Sequence, residues 1–314
     1  MDKKIKRKIK QKLGLFGIVS FIFIALYCLT IVFVLVWALM NSVKSQYDFN
    51  GIGGYYPSNY FGLPRIPDSS LPSPELLGGW HFDNYALAFK IVAVTIGGNT
   101  VYTLDTMLIN SLLFSTTMAF FGVFTPFITA YCCAKFEFKI KGLIYTTAII
   151  VMMIPIVGSL SSELLIQRQL RLENLIGVCI IKNKYTGMYF LVFYGTFKSL
   201  STTYMEAARV DGAGEYSIFF KIMLPLAKTS ILSIFILLFI TNWNDYYTPM
   251  MFLPYMPTLA RGLQQITSAP AGQISTHFPV KLGSAMICAL PTLALFVIFR
   301  KQIMGNITMG GIKG

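Results

Sequence analysis

The chain has 314 residues, of which 55% are hydrophobic and only 12% charged, with a mean hydropathy of +0.62. One soluble core cannot hide that much apolar surface, the same hydrophobicity excludes intrinsic disorder, and five cysteines exclude a disulfide scaffold. Lys and Arg number 26 against 13 Asp and Glu; they fall between apolar runs rather than along one polar face, so they read as topology-setting charges beside anionic lipid and not as a nucleic-acid surface.

A bilayer-crossing helix needs about 20 apolar residues. After a basic leader at residues 1–12, the uncharged run Leu13–Met40 is 28 residues long. That is too long for the apolar core of a signal peptide and lacks a small-residue cleavage site, so it reads as an uncleaved first span. Residues 41–106 follow as an extracellular loop rich in Gly, Pro and Tyr, with a short amphipathic piece expected around Trp80 to Phe89. The second run is Met107–Ala134 and the third Gly142–Ser162, with Pro155 in its interior. The fourth, Tyr185–Phe197, is short and reaches about Leu200 if Lys198 snorkels to the interface. The fifth, Thr229–Leu253, is interrupted by Asp245, and the sixth, Leu282–Phe299, contains Pro291.

The expected fold class is therefore all-α: a polytopic membrane protein with six transmembrane helices and a permease domain over residues 107–303. With six spans, 17 of the 26 basic residues fall on the side that holds both ends, which makes both termini, including the tail at 304–314, cytoplasmic. Asp105 and Glu163 read as solvated boundary residues. Cys28, Cys132, Cys133, Cys179 and Cys288 read as small hydrophobes, and His81 and His277 have no metal-ligand spacing to any partner.

The informative stretch is the cytoplasmic loop at 203–225. Thr203 with Glu206 three residues on fits a capping box, Ala207 and Ala208 are helix formers with little side chain, and Gly212 suits a helix C-cap. A second helix is expected from Glu215, ended or kinked by Pro225 before the fifth span. These features predict a helix, a sharp turn and a second helix beside the membrane, and an ordinary amphipathic surface loop has the same local chemistry.

Residues 206–225 read Glu-Ala-Ala, three residues, Gly212, nine residues, Ile222, one residue, Leu224-Pro225. This spacing resembles the EAA loop of binding-protein-dependent ABC importer permeases. Asn110-Ser111, Met153-Ile154-Pro155, Trp243-Asn244-Asp245 and the tail Met309 to Gly314 are similar to the carbohydrate-type branch, which includes the six-span maltose-system permease. Ser201-Thr202-Thr203 stands where the family often has Pro, and Ile91 to Thr106 looks like an insertion.

The resemblance implies a permease subunit in a bacterial inner or plasma membrane, importing a sugar or oligosaccharide. Its partners would be a second homologous permease, an ATPase dimer, an extracellular solute-binding protein and membrane lipid. It also implies that Glu206, Ala207, Ala208, Asp211, Gly212, Leu224 and Pro225 form the element that couples to the ATPase. The chain has no P-loop and no Gly-Lys dipeptide, so ATP and Mg belong to the partner and no catalytic residue or bound cofactor is expected here. Asn242, Trp243, Asn244 and Asp245 are candidates for the substrate path, since an acid in an apolar run is functional by default and the set offers an aromatic platform with hydrogen-bonding groups. In the competing structural role, Asp245 lies near the outer end or packs between subunits. A stand-alone secondary transporter or channel would leave the EAA spacing unexplained and would be expected to show internal repeats. An integral-membrane enzyme lacks any catalytic constellation at one depth.

Overall fold

A computed structural model describes residues 15–50, 59–64, 78–98, 100–154, 158–268 and 277–307. The leader at 1–12, Pro155, the Gly-rich stretch at 51–57 and the tail from Met309 lie outside the described residues. The chain forms two compact units, one made of residues 1–86 and 277–286, the other of 87–276 and 287–314.

In the first unit, α1 (Leu15–Ser42) is apolar around its whole circumference, and its apolar window is open to the surroundings, as suits a lipid-facing helix. Beyond it lies a polar knot, so this part of the expected irregular loop is ordered. Asn41, Ser42 and Lys44 are fully buried. The Asn84 amide donates to the Ser42 carbonyl at 2.9 Å and the Lys44 carbonyl at 2.8 Å. The Lys44 ammonium donates to the Asn59 carbonyl at 2.6 Å. Buried polar groups persist because they find partners. The short α2 (Gln46–Asn50) adds Phe49, which stacks on Phe278 at 4.9 Å.

α3 (Asp83–Ile91) begins in the first unit and ends in the second, where it leads into an antiparallel hairpin, β1 (Ala93–Ile96) paired with β2 (Thr100–Thr103). This hairpin adds two short strands to an otherwise helical set of elements among the described residues: β-branched residues on both arms favour strands, and Gly97 and Gly98 turn the chain at φ +66° and +83°, which glycine adopts without steric cost.

The central element is α4 (Leu104–Lys135). The helices that follow are α5 (Lys141–Met153), α6 (Leu160–Gln169), α7 (Leu175–Lys182) and α8 (Met188–Ser199). Next come α9 (Thr203–Val210), α10 (Glu215–Ile218), a π-helical turn at Phe219–Met223 and α11 (Leu224–Leu226). The series closes with α12 (Lys228–Trp243), α13 (Tyr247–Phe252), α14 (Leu259–Ser268) and α15 (Phe278–Ile307). α4 packs against α12 and α8. Gly122 permits that approach: a Cβ there would stand 3.0 Å from Leu238 Cδ1 and 2.9 Å from Asn183 Oδ1.

Among the described residues, three helices are long and apolar enough to cross a bilayer: Phe16–Ser42, Leu104–Lys135 and Phe278–Arg300. A fourth span results if Glu215–Leu226 and Lys228–Trp243, bent by 70°, are taken together. The third apolar run does not stay helical to Ser162. α5 stops at Met153 and Ile154 turns extended, with φ −86° and ψ 115°, the conformation that a following proline favours.

Candidate functional site

The helix–turn–helix at 203–225 is built as its residue pattern requires, with one correction. The capping box does not form. Thr202, not Thr203, occupies the N-cap position and its side chain makes no cap bond; Ser201 Oγ instead accepts the Thr203 N–H at 3.2 Å and pairs with the Thr203 hydroxyl at 2.7 Å. A preceding serine has competed for the hydroxyl that the box would use. Glu206 is left exposed; its backbone N–H donates to the Thr202 carbonyl at 3.0 Å and its charge acts on Arg209.

The other end closes as a Schellman turn. The Ala213 N–H donates to the Ala208 carbonyl at 2.9 Å and the Gly212 N–H to the Arg209 carbonyl at 3.0 Å, with Gly212 at φ +79°. This satisfies carbonyls that the helix end would leave bare. Across the turn, Arg209 Nε donates to Glu215 Oε1 at 2.7 Å, an exposed pair that favours the closed geometry weakly.

The loop has a seated side and an open side. Met205, Ile218 and Met223 are buried in one cluster with Phe127, Tyr131, Phe193 and Phe197. The Phe219 ring lies 4.9 Å from Tyr131 and 5.8 Å from Phe127. Lys135 Nζ donates to the Leu200 carbonyl at 2.6 Å and fixes the start of the loop to the end of α4. Ala208 and Ala213 pack against the cluster, whereas Ala207, Asp211 and Gly212 are exposed. On the open side Val210 is 88% exposed and Tyr216 85%, so an apolar surface surrounds the small residues of the turn.

Pro225 does not end the second helix. It has no N–H for the Lys221 carbonyl, and the register adjusts just before it: the Leu224 N–H reaches back five residues to the Phe219 carbonyl, a π turn. The chain bends by 70° two residues beyond the proline, at Ala227.

The four side chains of the 242–245 group all bond within the fold. Trp243 is buried, its indole N–H donates to the Cys288 carbonyl at 2.9 Å, and its ring stacks on Phe239 at 5.8 Å. The Asn242 and Asn244 amides donate to the Leu238 and Ile240 carbonyls, each at 2.8 Å. Asp245 Oδ1 accepts the N–H groups of Tyr247 at 2.9 Å and Thr248 at 3.0 Å, an Asx turn that leads into α13. Asn244 is the exposed amide of the group.

Two further features carry structural work. The Asn110 amide donates to the Pro257 carbonyl at 3.0 Å, and Ser111 Oγ accepts the Leu259 N–H at 2.7 Å, so the start of α14 is held by α4. Glu163, expected to be solvated, is instead largely buried: it meets Lys182 Nζ at 2.6 Å and Lys184 Nζ at 3.7 Å. Burial pushes the Glu163 carboxyl up, but the hydrogen bond and charge of Lys182, with help from Ser159 and Lys184, outweigh this and hold it below its ordinary value. Among the described residues no cluster of His, Cys, Asp and Glu could hold a metal ion.

Residues 122–304 match the family model described as the binding-protein-dependent transport system inner membrane component. The arabinooligosaccharides transport system permease protein AraQ of Halalkalibacterium halodurans is 27% identical, with 99% of this chain and 100% of that protein covered. The diacetylchitobiose uptake system permease protein NgcG of Streptomyces coelicolor is 23% identical over 95% of this chain and 89% of that protein. The fold is similar to that of a chain in the crystal structure of a bacterial ABC transporter involved in the import of the acidic polysaccharide alginate. The TM-score is 0.68 at 19% identity, covering 91% of this chain and 95% of that one.

Proposed function

Because the chain belongs to the family of binding-protein-dependent transport system inner membrane components, we propose that it is the permease subunit of an ATP-driven importer for a sugar or oligosaccharide. The observation that carries the coupling role is the loop at 203–225. Its Schellman turn is seated through Met205, Ile218 and Met223 on the aromatic cluster below and exposes Val210 and Tyr216. An exposed apolar patch on a rigid support is a docking surface. Glu206, Ala207, Asp211 and Gly212 form its polar and small-residue part, while Leu224 and Pro225 belong to the segment that leads from it to α12. The partner is an ATPase dimer that binds ATP and Mg; this chain supplies neither ATP hydrolysis nor a cofactor site. Closure of that dimer would move the loop, and the helices attached to it, between inward- and outward-open states.

The sugar class is supported by the arabinooligosaccharide and diacetylchitobiose systems to which the similar permeases belong. In this reading six spans cross the membrane, both termini are cytoplasmic, and a second permease completes the path. Asn244 is the member of the 242–245 group that would meet the solute, with Trp243 and Asp245 shaping the break beside it. An extracellular solute-binding protein delivers the sugar.

The test is to tag the chain, extract it gently from its native membrane and identify what accompanies it. A P-loop ATPase and a second permease are the expected companions, with ATP-dependent oligosaccharide uptake after reconstitution. Isolation of the chain alone or as a homo-oligomer, under several mild detergents, would overturn the reading.

A further inference from the structure

The loop that follows α1 carries two exposed apolar tips. One holds Phe61, 74% exposed, and Leu63; the other holds Trp80 and Phe82, whose rings stack at 6.2 Å and 11°. Both are strapped by hydrogen bonds to the end of α1. The Asn41 amide donates to the Tyr60 carbonyl at 3.0 Å, the Lys44 ammonium to the Asn59 carbonyl at 2.6 Å, and the His81 N–H to the Val43 carbonyl at 2.8 Å. Asn41 and Lys44 are fully buried, so the straps are shielded from water and fix the tips relative to the helix.

The depth of the tips follows from the length of α1. Its 28 residues extend roughly 42 Å at about 1.5 Å per residue, against a hydrocarbon core of about 30 Å. The helix end therefore reaches the headgroup layer and the tips are held at that level, where tryptophan and other amphipathic aromatic rings partition. A sugar platform would need hydrogen-bonding groups beside the rings. Here the amide nitrogens of Asn41, Asn59 and Asn84 are engaged with groups of the fold, and beside the Trp80–Phe82 pair His81 Nδ1 lies 3.5 Å from Asp83 Oδ1.

We propose that Phe61, Leu63, Trp80 and Phe82 form a two-pronged anchor seated in the phospholipid headgroup layer of the leaflet at which α1 ends. The anchor holds the loop against the membrane, so that the polar knot is positioned by both the helix and the lipid surface. The inference rests on α1 crossing the bilayer, and Trp37 inside α1 reports on that separately.

The test uses the full chain with its companion subunits, labelled with 5-fluorotryptophan, in nanodiscs of phosphatidylcholine and phosphatidylglycerol. Trp37→Phe, Trp80→Phe and Trp243→Phe assign the three fluorine resonances. Headgroup spin-labelled phosphatidylcholine is expected to broaden the Trp80 resonance several-fold more than an aqueous gadolinium chelate does. Stronger broadening by the chelate would overturn the proposal, because Trp80 would face water. Insensitivity to both would overturn it too, because another protein surface would cover the ring. So would a Trp80 shift on adding oligosaccharide without any effect of the labelled lipid. Broadening of Trp37 by lipid in any of these cases leaves the spanning of α1 intact.

Discussion

Ser111 Oγ accepts the backbone N–H of Leu259 at 2.7 Å, joining two residues 148 positions apart in the chain. The bond caps the first turn of α14 from a different helix, where a helix has an orphan donor and no partner of its own. Ser111→Ala would leave that buried N–H unsatisfied, at a cost of about 1–3 kcal/mol. The expected result is a lower melting temperature in detergent and faster proteolysis between residues 254 and 268, with the membrane level of the protein unchanged.

Gly212 has φ +79°, and a Cβ added there would meet nothing within 4 Å. The penalty for substitution is therefore conformational and not steric. A branched side chain in the left-handed region costs about 1–2 kcal/mol, whereas asparagine tolerates it. Gly212→Val is expected to lose uptake and ATPase co-purification while still reaching the membrane, and Gly212→Asn to keep most of both. Gly212→Asp should lose uptake through failed ATPase docking. Normal transport by the Val variant would remove the turn from the coupling mechanism.

Trp243 holds α12 to the Cys288 carbonyl through its indole N–H. Trp243→Phe deletes the donor and part of the ring volume, a loss of about 1–3 kcal/mol. The melting temperature should fall while the half-saturation concentration for uptake stays constant. A shifted half-saturation with unchanged stability would mean that the indole touches the solute.

Glu163 titrates below its ordinary value in the folded protein because Lys182 and its neighbours favour the carboxylate. A group of this kind contributes its stability in full above its unfolded pKa, about 4.3, and loses it as pH falls through the folded value. Glu163→Gln should therefore melt lower than the wild type at pH 7, and the difference should shrink below about pH 4.

The parts legible in the sequence are those fixed by short-range spacing. Gly212 four residues beyond Ala208 marks the turn, Glu215 marks the second helix, and the uncharged runs mark α1, α4 and α15. Other features depended on partners distant in sequence or on a choice between near-equivalent neighbours. Thr202 and Thr203 are both able caps, and the nearby Ser201 hydroxyl engaged the second. A tryptophan between two asparagines has the composition of a sugar platform, yet the direction of Trp243 on its helix sends it toward Cys288. The hairpin at Ala93–Thr103 goes beyond the reading of Ile91 to Thr106 as an insertion, although its β-branched arms and paired glycines carry the local signal. The Glu163–Lys182 pair was not, because it joins residues 19 positions apart on separate helices.

Phe219 stands where two mechanical routes divide. Its backbone runs through the π turn and the 70° bend into α12, and its ring lies against Tyr131 and Phe127 of α4. A push on the loop therefore arrives at α12 through covalent bonds and at α4 through ring contact. Neither helix can shear past the other without prising that ring from its seat. The membrane part would then receive torque on a paired block of helices, and not tension along one rod.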